Sequence, residues 1–256
     1  SKGAHMSGFR IVTSHSLALA EPVAGAEAVS DFLFGEKVSE QGRSSGYVRV
    51  RNEYDEYEGW VPEECLGPAS ATENCPFRVR ARLAGAYDKP AGEIVLKDVG
   101  VGSPVYPVAR IEGWLQDTSG LWFRDVDLVT IPAELDRVDV ALEFVGVPYV
   151  WGGRHGSGID CSGLVQIGAM LKNLSCERDT KEQVESFGEK LGGLDTAGRR
   201  RGDLLYVPGH VAILTGPDEA VHADGKAGHV HVQGLDEIVA NRGFTPADVT
   251  LRRPSA

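Results

Sequence analysis

The 256-residue chain contains no run of about 20 apolar residues, the length that spans a bilayer. Its longest apolar stretch, "IVLKDVGVGSPVYPVA", is interrupted by charge, Gly and Pro, so no membrane helix is expected. Basic residues are scarce. With 26 Lys and Arg against 37 Asp and Glu, the formal charge is −11, which argues against a diffuse basic surface for nucleic acid or anionic lipid. A small soluble substrate suits this charge better. The cysteines are few: Cys65, Cys75, Cys161 and Cys176 form no CxxC pair, and a chain with 42% hydrophobic content can bury a core without disulfide staples. Free thiols are expected. The opening "SKGAHM", residues 1–6, reads as a cloning remnant, and the residues after it lack the charged start and apolar stretch of a signal peptide. This favours a cytoplasmic location, or a periplasmic or secreted one if a leader has been removed.

Before residue 130, two stretches look like degenerate copies of one small β module. The first, "FGEKVSEQGRSSGYVRVRNEYDEYEGWVPEECL", alternates over Tyr47 to Arg51 and is expected to turn at Gly42 and Gly46. The second, "VGSPVYPVARIEGWLQDTSGLWFRDVDL", repeats the Gly-x-x-Val start: Gly35 to Val38 becomes Gly102 to Val105. Each copy closes on an aromatic, and an acidic residue precedes Leu66 or Leu128. These features predict two all-β units at 7–68 and 74–130, separated by the boundary stretches "GPASATENCP" and "VTIPAEL".

From residue 133 the period changes. Leu135, Val138, Leu142 and Val145 recur at helical spacing and stop at Gly146 and Pro148. A second helix is expected from near Cys161, with Leu164, Ile167, Gly168 and Leu171 on one face and Asn173 at its end. Thr180 with Gln183 has the pattern of a capping box for a third. Beyond Gly202, "DLLYV", "HVAILT", "AVHA" and "HVHVQGL" alternate as strands. Helices followed by strands predict an α+β domain at 133–256.

Cys161 follows a Gly-rich loop, "GGRHGSGID", at the predicted start of the second helix. There the macrodipole and unpaired N–H groups favour thiolate and are positioned to hold an oxyanion. Cys65, Cys75 and Cys176 lack such a setting and read as small buried residues. A thiol nucleophile needs an imidazole, and His155, His210, His222, His229 and His231 are the candidates. If the turn in "TGPDE" centres on Gly216, His210 and His222 are directly opposed on neighbouring strands. His222, Asp224, His229 and His231 are also conceivable zinc ligands, but no HExxH or CxxC spacing supports that reading.

"PYVWGG", "DCSGLVQ", "RRGDLLYV", "HVAILTG" and "AVHADG" resemble, in order and spacing, the signature of the NlpC family of cell-wall cysteine peptidases, over about residues 134–250. The resemblance implies a papain-like fold with the nucleophile helix packed on an antiparallel sheet. It maps the nucleophile onto Cys161, the base onto His210, the orienting residue onto His222, and a Tyr lining the oxyanion region onto Tyr149. The preceding β modules are then similar to bacterial SH3-like domains, which commonly precede this peptidase. No metal or organic cofactor is implied.

Members with this architecture resemble γ-D-glutamyl-diamino-acid endopeptidases. They take a murein tri- or tetrapeptide with a free N-terminal L-Ala, and the first SH3-like module closes one end of the cleft. That implies acceptors for an ammonium, for which Asp160, Ser162 and Tyr57 are the candidates, with an acidic partner among Glu21, Glu27 and Glu56. The same triad would serve an N-acyl amidase or acyltransferase, and a wall-peptide-binding protein with a vestigial catalytic domain is the reading from another class. Oligomeric state is not legible.

Overall fold

In a computed structural model of the chain, residues 8–69 and 75–255 are described. The "SKGAHM" opening and the middle of the first boundary stretch, 70–74, lie outside the described residues. The chain divides into two compact units, Ser1–Ala133 with Trp151–Ser157, and Glu134–Val150 with Gly158–Ala256. Two features differ from a three-module reading. The β modules form one unit, and Trp151 with the first six residues of the Gly-rich loop belongs to it.

The first unit contains a seven-stranded antiparallel sheet of β1 (Phe9–Ile11), β2 (His15–Leu19), β3 (Ala28–Leu33), β4 (Lys37–Ser44), β5 (Tyr47–Asn52), β6 (Glu58–Pro62) and β7 (Leu66–Pro68), in the order β3-β2-β6-β5-β4-β1-β7. β5 shows why the alternation makes a strand: Val48, Val50 and Asn52 are buried while Arg49 and Arg51 are exposed. The β4–β5 turn sits at Ser45 and Gly46, both with positive φ (53° and 82°), as a tight hairpin requires. Gly42 is not a turn, because the register slips between Glu40 and Gly42 and places it in a bulge.

β8 (Phe77–Val79), β9 (Leu83–Tyr87), β10 (Ile94–Gly100), β11 (Pro104–Val105), β12 (Pro107–Ile111), β13 (Trp114–Asp117), β14 (Trp122–Arg124) and β15 (Leu128–Thr130) form a five-stranded sheet, β10-β9-β14-β13-β12, and a three-stranded one, β11-β8-β15. The internal repeat is physical. Gly35 and Gly102 both take positive φ (78° and 88°), and three residues on, Val38 and Val105 are fully buried. Leu66 and Leu128 each follow a three-residue 3-10 turn, Glu63–Cys65 and Asp125–Asp127.

The two sets of sheets share a core. Phe34, just after β3, packs in the cluster of Val79, Ala84, Val99, Leu115 and Phe123. Arg10 pairs with Asp117 at 2.8 Å with both side chains buried. The short β16 (Arg154–His155) lies in this unit. Arg154 has no solvent exposure; its guanidinium meets the Glu36 carboxylate through two bonds of 3.0 Å and donates to the Asp31 carbonyl at 2.9 Å. His155 stacks on His15 with ring centres 3.9 Å apart.

The second unit opens with α1 (Arg137–Leu142), capped by Asp136, whose carboxylate accepts the Val138 N–H at 2.8 Å. The helix is shorter than its apolar pattern: Leu135 precedes it, and Val145 follows it half-exposed. After β17 (Gly158–Ile159) comes α2 (Cys161–Leu171), then α3 (Thr180–Ser186). Every residue of α2 is buried, so it is a central helix rather than an amphipathic one. Gly168 admits α1: a Cβ there would lie 3.0 Å from the Arg137 Cβ. The Thr180 capping box does not form, because Thr180 is the first helical residue and Asp179 holds the cap position.

An antiparallel six-stranded sheet follows, from β18 (Glu189–Gly192), β19 (Leu204–Val207), β20 (His210–Leu214), β21 (Glu219–Asp224), β22 (His229–Gly234) and β23 (Thr250–Arg253), in the order β18-β23-β19-β20-β21-β22. α4 (Leu235–Asn241) covers one face, where Leu235, Ile238 and Val239 meet Leu205, Ala212 and Leu214. On the other face Leu164, Val165 and Gly168 of α2 border Leu204 and Ile213. Covered on both sides, β19 and β20 are buried throughout.

Arg154→Ala should lower the urea stability of the first unit by about 3–5 kcal/mol, because it leaves the Glu36 carboxylate buried without its counter-charge. A loss below about 1 kcal/mol would mean that the Asn52 side chain and Leu33 amide, both 2.8 Å from Glu36, satisfy it alone.

Candidate active site

The start of α2 is held by Asp160. Its Oδ1 accepts the Gly163 amide at 2.8 Å and the Ser162 hydroxyl at 3.3 Å. The buried Arg178 forks onto both carboxylate oxygens, at 3.0 and 2.6 Å, and donates to Ser162 Oγ at 2.8 Å. The polar atoms of Asp160 and Ser162, the candidates for holding an ammonium, also fix the first turn. Gln183 adds a brace, donating to the carbonyls of Ser162 and Glu177 while accepting the Tyr206 hydroxyl.

Cys161 is the first residue of that helix and is 8% exposed. The Val211 amide donates to its sulfur, which sets the thiol beside the start of β20, where His210 lies. Burial, with the Asp160 charge next to it, pushes the thiol up to about 11. The expectation that the helix start lowers the thiol's pKa is thus corrected in direction. The helix terminus and the Arg178 and Arg242 charges favour ionisation, but desolvation of a nearly enclosed sulfur outweighs them.

His210 is the first residue of β20 because a two-residue turn, Pro208 and Gly209 (φ 76°), joins it to β19, pairing it with Val207. Its Nε2 is 2.9 Å from Nδ1 of His222 on β21. Direct opposition does not occur. The ladder pairs Ile213 with Val221 and Leu214 with Ala220, so the turn centres on Pro217, two residues away from the register that would oppose the histidines. They meet on the diagonal instead, ring edge to ring face, with centres 5.0 Å apart. The far nitrogen of His222, Nε2, faces Gln233 Oε1 at 3.2 Å.

Both imidazoles are kept neutral. Burial, then the Arg242 charge, takes His210 well below its ordinary value, and burial takes His222 down to about 4. Burial would raise Asp224, but the His231 contact, the Lys226 amide and Arg242 hold it at about 2.

Tyr149 shares the site, its phenol pushed up by burial and by the nearby Cys161 and Asp160, with its ring about 3.4 Å from where a Gly225 Cβ would stand. Tyr57 belongs to the first unit. It is half-buried in the turn before β6, its amide donating to Asp55 Oδ1 at 3.1 Å. His155 also lies in the first unit, and His229 is exposed. The other thiols are free as well; Cys75 and Cys176 donate to nearby carbonyls. Sequence reasoning missed Arg178, Gln233 and Arg242, and read Gln183 only as a capping-box residue. Only Gln233 carried a signal, its place in the alternation of "HVHVQ".

Residues 146–247 match the NlpC/P60 family, and residues 19–66 match the family described as Bacterial dipeptidyl-peptidase Sh3 domain. Dipeptidyl-peptidase 6 of Lysinibacillus sphaericus is 41% identical over 39% of this chain and 36% of its own length. A gamma-D-glutamyl-L-lysine dipeptidyl-peptidase of Bacillus cereus is 25% identical over 75% of this chain and 66% of its own length. The match therefore spans about a third of the first relative and just under two thirds of the second. Among solved structures, an NlpC/P60 family protein from Bacillus cereus superposes with a TM-score of 0.76 at 18% identity, covering 96% of this chain and 99% of the other. An NlpC/P60 endopeptidase from Photobacterium damselae subsp. piscicida gives 0.72 at 13% identity, covering 97% and 73%. At these identities the likeness is one of fold.

His222 supplies a pH signature. Its folded value of about 4 lies below the ordinary 6.5, so the unfolded chain takes up this proton first. The stability held by the neutral ring is complete above pH 6.5 and is lost as pH falls from there towards 4. Urea midpoints should drop across that window, and the His222→Gln variant should show a shallower drop. An equal slope in both would assign the acid loss to other groups.

Proposed function

We propose that this chain, which carries an NlpC/P60 domain behind a bacterial SH3 domain, is a cysteine peptidase that hydrolyses peptidoglycan stem peptides, with Cys161 as nucleophile and His210 as base. The bond between His210 Nε2 and His222 Nδ1, beside the thiol at the start of α2, carries the reading. With Gln233 Oε1 accepting from His222 Nε2–H, His222 Nδ1 is the lone pair that accepts His210 Nε2–H. His210 Nδ1 is then unprotonated and available to a thiol proton.

The resting pair is neutral, so the proton passes from Cys161 to His210 as sulfur attacks the scissile carbonyl. The resulting imidazolium protonates the leaving amine, and water then cleaves the thioester by the same route. The Cys161 amide, at the open end of the helix, and the Tyr149 hydroxyl serve the oxyanion. Tyr149 suits that role because its raised phenol remains a donor at neutral pH. Asp160 and Ser162 act as positioning residues, locked by Arg178. The acyl transfer is complete with these groups and calls for no cofactor.

The bond we assign is γ-D-Glu–diamino acid, in L-Ala-γ-D-Glu-diaminopimelate with a free amino terminus. The names of the relatives support this, since a dipeptidyl-peptidase releases a dipeptide from a free end. Tyr57 is assigned to recognition of that end on the sequence resemblance, and the β unit is read as two SH3-like modules. A role in murein-peptide recycling in the cytoplasm is supported by four free thiols.

Mass spectrometry of the digested peptide should show L-Ala-γ-D-Glu and free diaminopimelate. Release of an acyl group instead would indicate an amidase, and no product a binding protein. Cys161→Ala should abolish turnover, and His210→Ala should lower it roughly 10²–10⁴-fold. His222→Gln should keep measurable activity, because orientation needs only an acceptor. Equal, total loss in the two histidine variants would refute the division of roles. N-acetylation of the L-Ala should remove most of kcat/KM; cleavage at an unchanged rate would rule out recognition of the free amine.

A further inference from the structure

We propose that His222, Asp224 and His231 form a binding site for a divalent transition metal, with Zn2+ as the fitting ion, whose occupation switches the peptidase off. The inhibitory half rests on His210 being the base; the site itself does not. One nitrogen or oxygen from each of the three residues lies within 4.8 Å of the other two. The strand register makes the cluster: His222 on β21 pairs directly with His231 on β22, and Asp224 lies two residues along the same face.

Two imidazoles and a carboxylate form a ligand set for a tetrahedral Zn2+, with a fourth position left for water or Gln233. Bonds of about 2.0–2.1 Å place ligand atoms roughly 3.4 Å apart. His231 Nε2 and Asp224 Oδ2 already stand 3.0 Å apart, so the remaining contraction falls on His222. The outer contacts fit a metal centre. Arg242 and the Lys226 amide both hold Asp224 Oδ1 at 2.9 Å, which leaves Oδ2 turned to His231. The Arg242 charge also weakens cation binding, which suits a reversible site. With its side chain 26% exposed, His231 gives the ion its way in.

The consequence for catalysis comes from proton positions. His222 Nδ1 is engaged by His210, so the nitrogen left for the metal is Nε2, the one now facing Gln233. Coordination requires a lone pair on Nε2. One proton leaves that atom to solvent, the proton on His210 Nε2 passes to His222 Nδ1, and one proton from solvent is taken up at His210 Nδ1. His231 changes tautomer in the same way, losing to solvent the Nε2 proton it now donates to Asp224 Oδ2 and gaining one at Nδ1, so the total is unchanged and all three rings have changed tautomer. His210 then presents N–H to the thiol where it needs a lone pair, and proton transfer from Cys161 is blocked without any contact between metal and sulfur.

Cobalt binding to the Cys161→Ala protein tests the site without the thiol. The expected result is one Co2+ per chain with the intense visible absorption of four-coordinate cobalt, weakened by at least about tenfold in Cys161→Ala/His231→Gln. In the Cys161-containing enzyme, Zn2+ should inhibit cleavage of L-Ala-γ-D-Glu-diaminopimelate and EDTA should restore it. His231→Gln alone should keep most of the turnover while needing at least about tenfold more Zn2+ for inhibition. Absence of Co2+ binding by Cys161→Ala would overturn the site. Undiminished zinc inhibition of His231→Gln would overturn the mechanism, since the metal would then act on the thiol. A chain that cleaves no stem peptide would refute the peptidase reading instead, and the cobalt titration would still decide the site.

Discussion

The Asp160 carboxylate is the constraint on which the second unit's site depends. It caps α2 through the Gly163 amide and is itself held by the Arg178 fork and the Ser162 hydroxyl. A buried carboxylate without a counter-charge would cost several kcal/mol, so Arg178 is as necessary to the helix start as the cap. The gain is geometric. Cys161 has one backbone position, its amide points out of the helix end, and its sulfur meets the Val211 amide. Small rotations at residue 160 would misplace all three.

Desolvation then sets the electrical state. The thiol and both histidines are nearly enclosed, and burial favours the uncharged form of each of the three. Charge is instead held in ion pairs, Asp160 with Arg178 and Asp224 with Arg242. The relay from Gln233 through His222 to His210 substitutes hydrogen-bond direction for charge in choosing which nitrogen is basic.

Much of this was legible in the residues. Alternation in Tyr47 to Arg51, the paired Gly35 and Gly102, and the Gly-rich run into Cys161 each express one local rule, and the structure obeys it. The features that escaped notice depended on long-range packing. Arg178 reads as one more charge in "NLSCERD", yet it is buried because Asp160 lies beside it in space. The direct opposition of His210 and His222 failed because one residue in the centre of a turn moves the register by two. The thiol's ionisation was misjudged because helix position is local, whereas enclosure depends on β19, β20 and Tyr149 together. The Thr180 cap was misplaced by one residue, and the buried Gln183, taken for its partner, turned out to brace the nucleophile helix.

The assignment of Trp151–Ser157 to the first unit bears on how such a chain can evolve. The polypeptide passes from one unit to the other three times, so the second unit is not an uninterrupted stretch that recombination could lift out whole. A gene fragment starting at residue 134 would carry Arg154 away from Glu36, leaving a guanidinium with no buried carboxylate to meet and a nucleophile loop with its middle unsupported.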